Sequence, residues 1–127
     1  MPLVRIDIRK HPDPEHIQKL GRIVYQAMRD TINVPDHDNF QILTEHDGNR
    51  LVNDPEYLGI RRSEGQVFIQ ITLNEGRTTE QKKMLYQTIA KGFNEAAGVR
   101  MEDVFISLVE VKRENWSFGN GIAQYAE

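Results

Sequence analysis

One pattern occurs twice in this sequence, at an offset of about 65 residues, and that repeat limits the possible folds more than any other feature. In the first copy Val4, Ile6 and Ile8 fall on every second position, the period of a half-buried strand; in the second copy Val67, Ile69, Ile71 and Leu73 do the same. Each strand pattern leads into a helical one. Ile17, Leu20, Val24, Ala27 or Met28, and Thr31 or Ile32 recur at three- and four-residue steps, as do Leu85, Ile89, Gly92 or Phe93, and Ala96. Asp13-Pro14 reads as the N-cap and first residue of the first helix, and Thr78 with Gln81 has the spacing of a capping box opening the second. The passage Val34–Phe40 aligns with Val99–Phe105, and further strands are expected over about 39–45 and 104–111.

Each copy is therefore strand–helix–strand. Two parallel strands joined by a helix form a right-handed crossover, which lays the helix on one face of the sheet. Two tandem β-α-β units then give an α/β (α+β) fold, a four-stranded, mainly parallel or mixed sheet with both helices on one face. Residues 1–127 read as a single domain, with units at about 2–46 and 66–111 and a tail over 112–127. The other sheet face receives Leu3, Phe68, Phe105 and Val109, which a monomer would leave bare, so subunits are expected to pack sheet against sheet. Between the units, residues 47–65 are polar and rich in turn signals, and a connection of that length is expected to cap a neighbour or a site. Three of the ten aromatic residues, Trp116, Phe118 and Tyr125, lie near the C-terminus, so the tail is expected to dock rather than wave free.

Composition excludes several function classes. With 16 basic and 19 acidic residues the net charge is −3, which argues against a general nucleic-acid binder. There is no cysteine, hence no disulfide and no thiolate metal site, as fits a reducing compartment. No apolar run approaches the roughly 18 residues of a spanning helix, and Met-Pro-Leu-Val-Arg-Ile-Asp is too polar for a signal peptide, so a cytoplasmic protein with no membrane partner is expected. The four histidines lack ligand spacing and Gly119-Asn120-Gly121 lacks both the third glycine and the helix of a dinucleotide loop; no metal and no cofactor are expected.

Three residues remain as candidates for chemistry. If Met1 is removed, Pro2 presents a free secondary amine at the start of a strand; such an α-amine titrates near about 7.7–8.0 and lower when desolvated or set beside a cation, which makes it a general base at neutral pH. The alternative for Pro2 is a proline simply tolerated where no ladder bond is needed. Arg77 follows the third long strand just ahead of a helix, where a cation opposes the helix dipole unless it serves another purpose, such as gripping a carboxylate. Asp38 opens the second strand, and its repeat partner Asp103 leaves a plain turn role open.

These residues resemble the tautomerase superfamily, whose members begin with an amino-terminal proline and a β-α-β unit, fused in tandem in longer members. The resemblance is greatest to its malonate semialdehyde decarboxylase-like branch. It rests on Met1-Pro2-Leu3, on Val34-Pro35 with Asp38 and Phe40-Gln41-Ile42, on Tyr57-Leu58-Gly59-Ile60, on Gly76-Arg77-Thr78 with Glu80-Gln81-Lys82, and on Asn115-Trp116-Ser117-Phe118-Gly119 running on to Ala123-Gln124. It implies a homotrimer with Pro2 as catalytic amine, Arg77 as carboxylate-binding residue, Asp38 as polar partner, and Trp116, Phe118 and Tyr125 as a hydrophobic wall. In one respect this chain departs from that branch: the decarboxylases carry two arginines in the loop after the third strand, whereas Leu73-Asn74-Glu75-Gly76-Arg77 holds one, leaving Arg61 or Arg62 to substitute. The expected activity is cofactor-independent keto–enol tautomerisation of a small 2-oxo or enol acid. The alternatives are a decarboxylase or hydratase using a cationic Pro2, and a non-catalytic trimeric binding module.

Overall fold

A computed structural model describes residues 2–126. Four long strands, β1 (Leu3–Arg9), β2 (Phe40–His46), β5 (Val67–Asn74) and β6 (Val104–Val111), form one sheet in the order β2-β1-β5-β6. β1 is parallel to β2 and β5 is parallel to β6, while β1 and β5 meet antiparallel at the centre, so the sheet is mixed. Helices α1 (His16–Ile32) and α2 (Thr79–Ala97) are the crossovers of the two units and pack on each other.

The alternation read from the sequence sets the layers. Val4, Ile6 and Ile8 of β1 and Val67, Ile69, Ile71 and Leu73 of β5 are buried, against Leu20, Val24 and Met28 of α1 and Leu85, Ile89 and Phe93 of α2. Gly92 lets the helices meet: a Cβ there would lie 2.8 Å from Cγ2 of Ile23. Both helices end alike, with Asn33 (φ 59°) and Gly98 (φ 67°) left-handed and the following N–H of Val34 and Val99 turning back to the carbonyls of Met28 and Phe93. The capping box at α2 is formed, Thr78 Oγ1 accepting from Gln81 N–H and Gln81 Oε1 accepting from Thr78 N–H. The start of α1 differs from the sequence expectation. Asp13 Oδ1 accepts instead from Glu15 N–H at 3.0 Å, closing a turn on its own neighbour, so the helix begins at His16 behind a Glu15 N-cap.

On the far face Phe40, Ile42, Phe105 and Val109 are exposed and Leu3 and Phe68 half-buried. The 47–65 connection holds a short hairpin, β3 (Glu56–Tyr57) and β4 (Ile60–Arg61), turned by Leu58 and Gly59 at positive φ. Arg9 staples this connection to the sheet by donating to the carbonyls of Gly48, Leu51 and Glu64 and to Asn53 Oδ1. No helix among the described residues is long and apolar enough to cross a membrane.

Candidate active site

The antiparallel relation of the two units decides which loops meet. In the register of the sheet Leu3 lies beside Phe40 and Thr72, and Asn74 beside Val111. The beginnings of β1 and β2 and the ends of β5 and β6 therefore share one end of the sheet. Pro2, Asp38, Arg77 and the start of the tail converge there from four separate stretches of sequence.

Pro2 is buried. It opens on a cavity of about 240 Å³ lined with Leu3, Phe40, Trp116, Ser117 and Phe118, a mostly apolar set. The tail forms the outer wall. Its indole Nε1 of Trp116 donates to Asn74 Oδ1 at 2.7 Å, which ties the wall to the end of β5. The Trp116 ring stacks on Phe118 at 5.4 Å, and Phe118 meets Tyr125 edge-on at 4.9 Å. The docking expected of the tail is thus intramolecular.

Arg77 and Tyr125 do not line the Pro2 cavity itself. They face an adjoining basin of about 450 Å³, where Arg77 Nη1 donates to the Asn74 carbonyl at 3.2 Å. Asn74 therefore touches both the wall and the guanidinium. Asp38 sits in the passage leading into β2; burial pushes its carboxyl above the ordinary aspartate value, while the positive charges of the amino terminus and of Arg77 pull it back down. Arg77 and Asp38 are thus electrostatic neighbours.

Three residues at this end were not anticipated as site residues. Phe40 faces the Pro2 cavity because it pairs with Leu3; Asn74 anchors Trp116; Arg113 enters the Arg77 basin from the turn after β6. Arg61 and Arg62, considered as substitutes for a second loop arginine, are engaged elsewhere within the chain, Arg61 with Glu56 and Arg62 with the carbonyls of Tyr57 and Ile60. Among the described residues no three His, Asp or Glu side chains gather as a cation site.

A protein family described as "Tautomerase enzyme" matches residues 38–119, and a second of the same description matches residues 2–61. The chain belongs to the tautomerase superfamily. "Probable tautomerase YusQ" of Bacillus subtilis (strain 168) is 44% identical over 127 residues, covering 100% of both chains. The crystal structure of FG41 malonate semialdehyde decarboxylase inhibited by 3-bromopropiolate matches with a TM-score of 0.90 and 35% identity, covering 97% of this chain and 93% of that one. This superfamily member thus falls in the malonate semialdehyde decarboxylase-like branch, and it is an enzyme. A fused 4-OT symmetric trimer shares the tautomerase fold, with a TM-score of 0.78 at 21% identity over 98% of each chain.

Proposed function

We propose that this enzyme is a cytoplasmic, cofactor-independent keto–enol tautomerase for a small 2-oxo or enol carboxylic acid, with Pro2 as general base once Met1 is removed. The observation that carries the reading is the burial of Pro2 in a largely apolar cavity at the sheet end to which Arg77 also comes. On this reading burial, which disfavours a charged amine, keeps the freed Pro2 nitrogen available as a base. Its lone pair takes the proton of the enol O–H; the enolate electrons reform the carbonyl, and the same proton is returned to carbon. One O–H bond is exchanged for one C–H bond, with nothing oxidised and no group lost.

Arg77 holds the substrate carboxylate with parallel N–H donors and spreads the negative charge of the enolate. Asp38 is the polar partner at the amine, and Trp116, Phe118 and Tyr125 keep water out. The exposed apolar face with Phe40, Ile42, Phe105 and Val109 is the surface on which three copies assemble, an arrangement that the trimeric 4-OT relative supports.

A second reading, decarboxylation or hydration of a short 3-oxo or unsaturated acid, is favoured by the likeness to the decarboxylase and by the place of Asp38, just ahead of the strand that pairs with the start of β1. It needs a cationic Pro2 that polarises the substrate carbonyl. Titration of Pro2 by ¹⁵N NMR in protein freed of Met1 separates the two. A value below the roughly 7.7–8.0 of a solvated α-amine supports the base, and a value well above it overturns the tautomerase step.

A further inference from the structure

The end of the sheet remote from Pro2 holds a second cavity. Its volume is about 180 Å³, and none of its lining residues lines the Pro2 cavity. The repeat accounts for its place. At the offset of about 65 residues, Leu3 and Phe40 of the Pro2 cavity correspond to Phe68 and Phe105 of this one, and Ser117 and Phe118 of the tail correspond to Val52 and Asn53 of the inter-unit connection. The segment that follows each unit thus closes a cavity over the strands of the other. Phe68 and Phe105, paired across β5 and β6, supply an aromatic side with ring centres 5.3 Å apart.

Gln66 sets the second cavity apart. It immediately precedes β5, two positions before Phe68 and so on the same face, and it is completely buried. Among the described residues neither its Oε1 nor its Nε2 has a hydrogen-bond partner. A buried amide in that state is costly and uncommon in native proteins. Asn53, the other amide lining the cavity, is satisfied at its oxygen, which accepts from Arg9 Nη2 at 2.7 Å. The two charged lining residues, Asp54 and Arg62, cancel, so the cavity favours neither an anion nor a cation. A carboxylate would accept from Nε2 but repel Oε1. A carboxamide answers both atoms at once, its N–H donating to Oε1 while its carbonyl accepts from Nε2. An apolar cavity of roughly 150 Å³ takes benzene, so this one has room for a single ring bearing such a group.

We infer that this cavity is a second, non-catalytic binding site for a small, neutral, planar amide about one ring in size, held by paired hydrogen bonds to Gln66 and by contact with Phe68 and Phe105. The inference is independent of the role proposed for Pro2. A neighbouring copy is the competing occupant, because Phe105 also belongs to the exposed apolar face on which copies are proposed to assemble. Benzamide is titrated into ¹⁵N-labelled protein in its native oligomeric state, with toluene as the probe that fills space but carries no amide. Benzamide shifts the backbone signals of Asn53 and Phe68 saturably and binds at least about tenfold tighter than toluene. Gln66→Met keeps the shape of the side chain and removes both polar atoms: Tm rises by about 3 °C or more, and benzamide loses at least about tenfold in affinity while toluene does not. Val52→Trp, at a position 88% exposed, blocks the cavity with Gln66 intact and abolishes the benzamide shift at Phe68. Signals at Asn53 and Phe68 that stay unmoved up to the solubility limit of benzamide, or equal affinity in Gln66→Met, overturn the inference. A lower Tm or loss of the oligomer in Gln66→Met would assign the amide to a neighbouring copy and overturn it as well.

Discussion

Trp116 is the point at which sequence, packing and catalysis are most directly coupled. Trp116→Ala deletes a half-buried hydrogen bond to Asn74 at 2.7 Å and a ring stack on Phe118 at 5.4 Å. The first contributes about 1 kcal/mol and the second about another 1 kcal/mol. Docking of the tail should therefore weaken by about 2 kcal/mol, and its open state should become roughly 30-fold more populated. Hydrogen exchange reads this locally. The N–H groups of Phe118 and Ile122, bonded to Gln124 Oε1 and to the Gly119 carbonyl, lose protection by about that factor, while the amides of β1 and β5 do not change. Opening the wall also admits water to the Pro2 amine, so the acidic limb of the kcat/KM profile shifts upward towards the roughly 7.7–8.0 of a solvated amine. Unchanged exchange at Phe118 and Ile122 in a folded variant would refute the assignment of Trp116 as the anchor. Equal loss throughout the sheet would show that the indole supports the whole fold rather than the tail.

Three further outcomes follow from the same geometry. Pro2→Ala lowers kcat/KM by at least about 100-fold with an unchanged circular dichroism spectrum, and protein that retains Met1, identified by intact mass, is inactive because its proline nitrogen is an amide. Burial raises the Asp38 carboxyl, so the folded state binds more protons than the unfolded chain between the ordinary value of 3.8 and the raised one. Stability therefore declines as pH rises through that window, and Asp38→Asn flattens the decline in a series of Tm measurements across it. Gly92→Ala, which in an ordinary helix would gain about 1 kcal/mol, lowers Tm here, because the added methyl meets Ile23 Cγ2 at 2.8 Å; a rise in Tm would mean that the helix pair gives way freely.

Much of the architecture was legible because it depends on short-range periodicity. Alternation at Val4–Ile8 and Val67–Leu73 and the Thr78–Gln81 spacing carry their own physics, and each appears where the pattern places it. The start of α1 was not legible, since Asp13 can cap a helix or close a turn on Glu15 with the same oxygen. Tyr57–Ile60 was too short for a strand reading, and its hairpin depends on Leu58 and Gly59 turning left-handed. The partners of the site were hidden for another reason. Nothing in either repeat states that β1 and β5 run antiparallel, and only that relation brings Asn74 and Arg113 to the end of the sheet where Pro2 lies. Phe40, on the neighbouring strand, required the register with Leu3.

The pseudo-symmetry of the sheet gives it two comparable ends, and only one of them carries the residues of the proposed mechanism. At the offset of about 65 residues the counterpart of Pro2 is Val67, whose nitrogen is a mid-chain amide without basicity, and the counterpart of Arg77 is Pro12, which bears no charge. The counterpart of Asp38, Asp103, is buried and occupied in accepting from the Ser63 backbone N–H at 2.7 Å and hydroxyl at 2.5 Å, pinning the inter-unit connection. A half-chain duplicated as a symmetric pair would have to reconcile both duties at every position. Fusion separates them: on the proposed mechanism one end stays reactive, the other becomes a clasp, and each chain holds one reaction centre.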